Sequence, residues 1–291
     1  MKLTYKITRM AQVLITSCCL ASCNYLDIIP PAQADFKDTM KDQEATLSFL
    51  YTCYGAVPRS TPFQYHSFEL SADESAAPYE YSNYQQQVAW GTISPAFYSS
   101  WGGDDQTIWV PSYNWLGYVH HFLSLIDELQ PVGVTQEDKE EYKAECYFLE
   151  AYYHFRVLQA FGPCPLITEK VDPNITNEGI PGRSHFDYCV DYIVGKLDQA
   201  AGVLPATRPT NYLGRATSTV ARALKARVLL YAASPLWNGS FPHPEWKNKN
   251  YETPGYGNEL VSTTYNPEKW TRALTACQEA LTAAKAAGYQ L

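Results

Sequence analysis

The stretch TQEDKEEYKAECYFLEAYYHFRVLQAFGP, residues 135–163, decides the fold. Ala144, Phe148, Ala151, Phe155 and Leu158 step by four, three, four and three, which lines them along one face of an α-helix. Thr135, three residues before Asp138, reads as an N-cap with an acidic first turn. Gly162, Pro163 and Pro165 read as the stop, because the glycine tolerates the turn and the prolines cannot continue the helix. A half-buried strand would alternate every second residue, and this stretch does not.

The same period recurs on both sides. Upstream, Trp109, Tyr113, Leu116, His120, Leu123 and Asp127 step by four and three, and a shorter helix fits about Lys41 to Ala56 through Leu47, Leu50, Tyr51 and Tyr54. Downstream, one helix carries Phe186, Cys189, Ile193, Leu197, Ala200 and Leu204 and ends at Pro205. A second runs from Ser218 to Ala233 through Ala221, Leu224, Val228 and Tyr231. A last one opens at Asn266-Pro267 and carries Trp270, Ala273, Cys277, Ala280 and Ala284 to Gly288. Alternating strands are almost absent, so the fold class is all-α. Ala144, Ala151, Ala221, Ala273 and Ala280 fall where helices would cross, with Trp and Tyr nearby. That is tetratricopeptide-like packing from about residue 109 onward, with intervals irregular and longer than the usual period of about 34 residues, hence long inserted loops.

The first residues read as an address. Lys2, Lys6 and Arg9 precede an apolar run from Met10 to Leu20, too short to span a bilayer, that ends in Leu20-Ala21-Ser22-Cys23. This ending resembles the lipobox of bacterial lipoproteins, so residues 1–22 are expected to be a signal peptide, removed when Cys23 is acylated; several acyl chains on one cysteine give stable anchoring. No other apolar stretch is long enough to cross a membrane, so contact with the membrane is expected through the anchor alone. The remaining cysteines, Cys53, Cys146, Cys164, Cys189 and Cys277, are odd in number and scattered. They form neither a zinc pattern nor a full disulfide framework, and they read as buried hydrophobes.

Composition narrows the function. With 46% apolar and 18% charged residues the 291-residue chain folds rather than staying disordered. A net charge of −8 without a basic run argues against nucleic acid as a partner. Residues 79–118 hold aromatics at about twice the chain-wide share of 14%, including Trp90, Trp101, Trp109 and Trp115. Flat rings fit the apolar C–H face of a sugar while carboxylates and amides bond its hydroxyl edge. Asp73, Tyr79, Tyr81 and Trp90, on the irregular segment 58–96, are therefore the glycan-binding candidates, because a loop of that length is seldom idle. The carboxylate pairs Asp73-Glu74, Asp104-Asp105 and Glu140-Glu141 read as solvated charges. His120 and His121 read as packed imidazoles, since neighbours on a helix point apart. No nucleophile, phosphate-loop, metal or cofactor motif occurs, so no catalytic residue, metal or cofactor is assigned.

Several segments together resemble the RagB/SusD family of outer-membrane lipoproteins. They are Cys23-Asn-Tyr-Leu-Asp-Ile-Ile-Pro-Pro31; the helix around Glu145–Phe155 with Phe161-Gly162 and Pro165-Leu166-Ile167 after it; and Ala221–Arg227 with Leu230–Pro235. The resemblance runs from Cys23 to Tyr289. It implies a surface lipoprotein, facing the cell exterior, that binds oligosaccharide or polysaccharide and passes it to a SusC-like TonB-dependent transporter without doing chemistry. A lipid-anchored glycoside hydrolase and a helical scaffold that binds only protein are the alternatives. His120 stands where the family usually has Asn, so the amide cap expected there is missing. Family members normally continue well past Leu291, so residues 23–291 are expected to be the N-terminal portion of such a protein.

Overall fold

The computed structural model describes residues 39–57, 91, 108–172, 174–176 and 179–290. Among them are six α-helices: α1 Gln43–Cys53, α2 Trp109–Ile126, α3 Gln136–Phe161, α4 Phe186–Val203, α5 Ser218–Ala233 and α6 Glu268–Ala286. The described residues form no strand, only isolated bridges such as Asp42 with Val132. From α2 onward each helix packs on the next, and α1 lies beside α2 and α3. This is a stack of helical hairpins of the tetratricopeptide type.

The expected helix ends hold to within a few residues. Thr135 and Asp138 form a reciprocal capping box, and Thr217 accepts a bond from the Val220 amide. Asn266 accepts from the Glu268 amide at 2.9 Å, the bond expected of a cap placed before Pro267. The stripe read on α6 is out of phase. Ala273 and Ala276 are buried, with Ala280 and Ala283 beside them, whereas Trp270 is 43% exposed and Cys277 only half-buried. Small side chains let α5 and α6 approach closely, which an indole in the seam would prevent.

α3 is packed by α2 on one side and α4 on the other, so it buries residues all round, two of them acids. Glu145 and Glu150 have no solvent exposure. A buried carboxylate is costly unless paired and hydrogen-bonded. Glu145 accepts from Arg208 Nη2 at 3.1 Å, from Arg215 Nε at 3.1 Å and from the Tyr54 hydroxyl. Glu141 shares both guanidiniums, so it is an ion-pair partner rather than the solvated charge its sequence position suggested. Tyr54 Oη in turn accepts from the Ala216 amide at 2.9 Å, and Arg208 Nε donates to the Ala216 carbonyl at 3.1 Å. The connection between α4 and α5 is thereby tied to α3 and α1. Glu150 pairs with Lys196 of α4 at 2.9 Å and accepts from the Tyr192 hydroxyl.

Two histidines hold the turn after α3. His154 Nδ1 donates to the Glu150 carbonyl at 2.8 Å, and its bare Nε2 accepts from the Ile167 amide at 3.1 Å. His120 Nε2 donates to the Ile167 carbonyl at 2.9 Å. Burial pulls His154 down to about 3, and burial also lowers His120 against the opposing pull of Glu150.

Removing one buried partner strands the others. Glu145→Ala should cost about 3–5 kcal/mol in urea unfolding, and Glu141→Ala, at a side chain 31% exposed, about 1 kcal/mol. Equal losses would show that burial does not set the scale. His154 is neutral when folded and protonated below about 6.5 when unfolded, so the unfolded chain binds the extra proton and stability falls as pH drops from about 6.5 towards 3. Its share is about 1.4 kcal/mol per pH unit. Between pH 5.5 and 4 the stability of His154→Gln should fall less steeply by about that amount, as read by denaturant melts at each pH.

Candidate functional site

The sequence-read site residues Asp73, Tyr79, Tyr81 and Trp90, and the lipidation residue Cys23, lie outside the described residues. The structure describes the residues on either side of that segment. Its departure point follows α1, where Trp115 Nε1 donates to the Thr52 carbonyl at 2.9 Å and the indole lies against Gly55, with no room for a Cβ there. Its return is Ile108, buried immediately before α2. Residues 58–107 thus span two anchored roots.

Beside the return root runs a ladder of rings. Phe186 stacks on Trp237 at 4.2 Å, Trp237 on Phe241 at 5.5 Å, and Phe241 on Trp246 at 5.8 Å. Arg183 continues it, its guanidinium 5.7 Å from the Trp246 ring and 5.2 Å from that of Trp109. Arg183 also donates to the carbonyls of Phe161 and Pro163, closing the end of α3. Two cation–π contacts and two bonds fix this side chain. Gly162 is essential to the arrangement. Its φ of +68° belongs to glycine, and a Cβ there would come within 2.9 Å of Trp237. Trp109 also packs edge-on to Phe161 at 5.0 Å, so α2 begins on a rigid surface.

Beside the departure root lies a cavity of about 580 Å³, within the range that takes small ligands. Tyr54 and Val57 of the root, the stacked pair Phe148 and Tyr152 of α3, Leu213 and Tyr289 line it. Arg208 and Arg215 form part of its wall, with their charge met by Glu141 and Glu145. Burial would lower the Arg215 guanidinium, but the two carboxylates outweigh it and hold it above its ordinary range. Burial and the Glu145 charge push the Tyr54 hydroxyl well up, so it stays a neutral donor. The lining is therefore aromatic and electrically balanced, and Tyr152 and Thr207 add hydroxyl-bearing side chains to it. It can hold an amphipathic neutral ligand.

Nothing beside the described roots is arranged for acid–base work. Glu141 and Glu145 face guanidiniums rather than each other across an open cleft, and no cluster of His, Cys, Asp or Glu among the described residues could hold a metal. Reading the sequence missed Arg183, Arg208, Arg215, Phe241 and Trp246. The one available signal was the length of the connection between α5 and α6, which exceeds what a turn needs.

Comparison with known proteins agrees with this architecture. No curated protein matches the chain. Among solved structures, BT4246 is 46% identical, with a TM-score of 0.76 over 86% of this chain and 41% of its own. A SusD-like protein, BF3747, from Bacteroides fragilis NCTC 9343 is 21% identical, with a TM-score of 0.61 over 89% of this chain and 40% of its own. A laminarin binding SusD-like protein is 20% identical, with a TM-score of 0.54 over 72% and 45% respectively. The last two likenesses speak for the fold alone, and the chain spans about two fifths of the length of these structures. A SusD-like family model, described as starch-binding associating with outer membrane, matches residues 24–230, and the chain belongs to that family.

Proposed function

We propose that this chain is a lipid-anchored protein of the outer-membrane surface that captures oligosaccharide and hands it to a SusC-like TonB-dependent transporter. The observation that carries this reading is the family match over residues 24–230, whose description joins starch binding to the outer membrane. In this proposal residues 1–22 are removed, Cys23 carries the acyl chains, and Asp73, Tyr79, Tyr81 and Trp90 meet the sugar. No helix among the described residues is long and apolar enough to cross a membrane, which suits a protein held by its anchor.

The described residues support the proposal in a second way. A cavity of about 580 Å³ opens beside Tyr54 and Val57, large enough to take part of a sugar chain. There Phe148 and Tyr152 offer ring surface and the Tyr152 and Thr207 hydroxyls offer bonds. Capture of this kind needs contact and orientation only.

Affinity electrophoresis of the purified chain against starch, laminarin, xylan and mucin glycans tests this reading. At least one polysaccharide should retard it, and Trp90→Ala should weaken retardation about tenfold, the loss of one good stacking contact. Tyr152→Ala should weaken it about threefold, because that ring meets only one end of the ligand. No retardation by any polysaccharide would overturn the proposal. Turnover of a labelled oligosaccharide, abolished by Asp73→Asn or Glu74→Gln, would replace it with hydrolysis.

A further inference from the structure

Four of the five described cysteines lie in two pairs. Cys53 ends α1 and Cys146 lies on α3 on the same face as Tyr153, two turns on, and neither cysteine has any solvent exposure. The bonds around them hold the same crossing: the Tyr54 hydroxyl meets Glu145, and the Tyr153 hydroxyl donates to the Cys53 carbonyl at 2.6 Å. Cys164, in the turn after α3, lies beside Cys189 in the first turn of α4, both fully buried. Cys189 Sγ lies 3.6 Å from the Cys164 carbonyl oxygen, and the Ser184 amide donates to that carbonyl at 3.0 Å. All four are free thiols in this structure; Cys277 stands apart, half-buried on α6.

We propose that folding in the presence of a disulfide oxidant joins Cys53 to Cys146 and Cys164 to Cys189, and leaves Cys277 as a thiol. In each case two S–H bonds and the oxidant's S–S bond break and one protein S–S bond forms. The two electrons and two protons convert the oxidant to a pair of thiols, by way of a mixed disulfide. The reaction belongs to folding rather than to the finished protein. Once folded, these thiols are sealed from reagents; burial holds Cys146, and the neighbouring Cys189 together with burial holds Cys164, in the unreactive protonated form. The inference rests on the outer-membrane reading in one respect: an exported chain meets such an oxidant on its way. The first bond would fasten the end of α1, where residues 58–107 depart, to α3. The second would fasten the turn held by His120 and His154 to α4.

The test is refolding of the full chain from urea with oxidised and reduced glutathione, followed by thiol titration in denaturant and mapping of linked peptides. Titratable thiols should fall from eight to four, with linked peptides containing Cys53 with Cys146 and Cys164 with Cys189. The oxidised chain should unfold at a higher urea midpoint than the reduced one, because the cross-links restrict the unfolded state. That difference should vanish in a Cys146→Ser, Cys189→Ser variant. Peptides in which these four positions remain thiols, or in which Cys277 is linked to any of them, would overturn the inference even if the variant fails to fold. The purified chain reports on its own chemistry. Correct pairing with no polysaccharide bound would sink the proposed function alone, and glycan binding without cross-links would sink this inference alone.

Discussion

The burial of two carboxylates on α3 is the constraint that organises the described structure. α3 keeps Glu137 and Glu140 of its first turns in solvent, but its central turns, wedged between two neighbours, leave Glu145 and Glu150 none. Each buried acid must therefore draw its own cations and donors inward, at a desolvation cost that only complete pairing offsets. Glu145 brings in Arg208, Arg215 and Tyr54, and so fixes both the α4–α5 connection and the end of α1. Glu150 brings in Lys196 and Tyr192 from α4 and offers its carbonyl to His154. One helix thereby sets the positions of three elements that share no contiguous sequence with it.

The same requirement extends to backbone groups. What the turn after α3 requires is a donor to the Ile167 carbonyl and an acceptor for the Ile167 amide. An imidazole can be either, according to its tautomer, and the two histidines take one role each. His120 and His154 between them therefore satisfy both backbone groups of Ile167.

Helical periodicity made most of the fold legible, because a 3.6-residue repeat with caps leaves few alternatives: Thr135, Thr217 and Asp42 cap helices as their types suggest. The phase of α6 was not legible. Both of its sides carry apolar residues, and only contact with α5 selects the alanines over Trp270. The ion pairs were not legible either, since Arg208 and Arg215 lie more than sixty positions from Glu145 and no local pattern links them. Arg183 and Trp246 escaped notice for the same reason: a ladder assembled from four separate segments leaves no spacing to read. The aromatic excess between residues 79 and 118 was plain, but composition cannot assign a ring to the surface or to the packing beneath it.

The two roots of residues 58–107 have a consequence for the framework around them. One root is held by backbone contacts to Trp115 and the other by the ring ladder and Arg183, all supplied by helices or by connections outside the interval. The bonds that hold these two roots are made by described residues on both sides of the interval, so they do not depend on the sequence between the roots. An interval rooted in this way leaves the framework on either side of it fastened by contacts of its own.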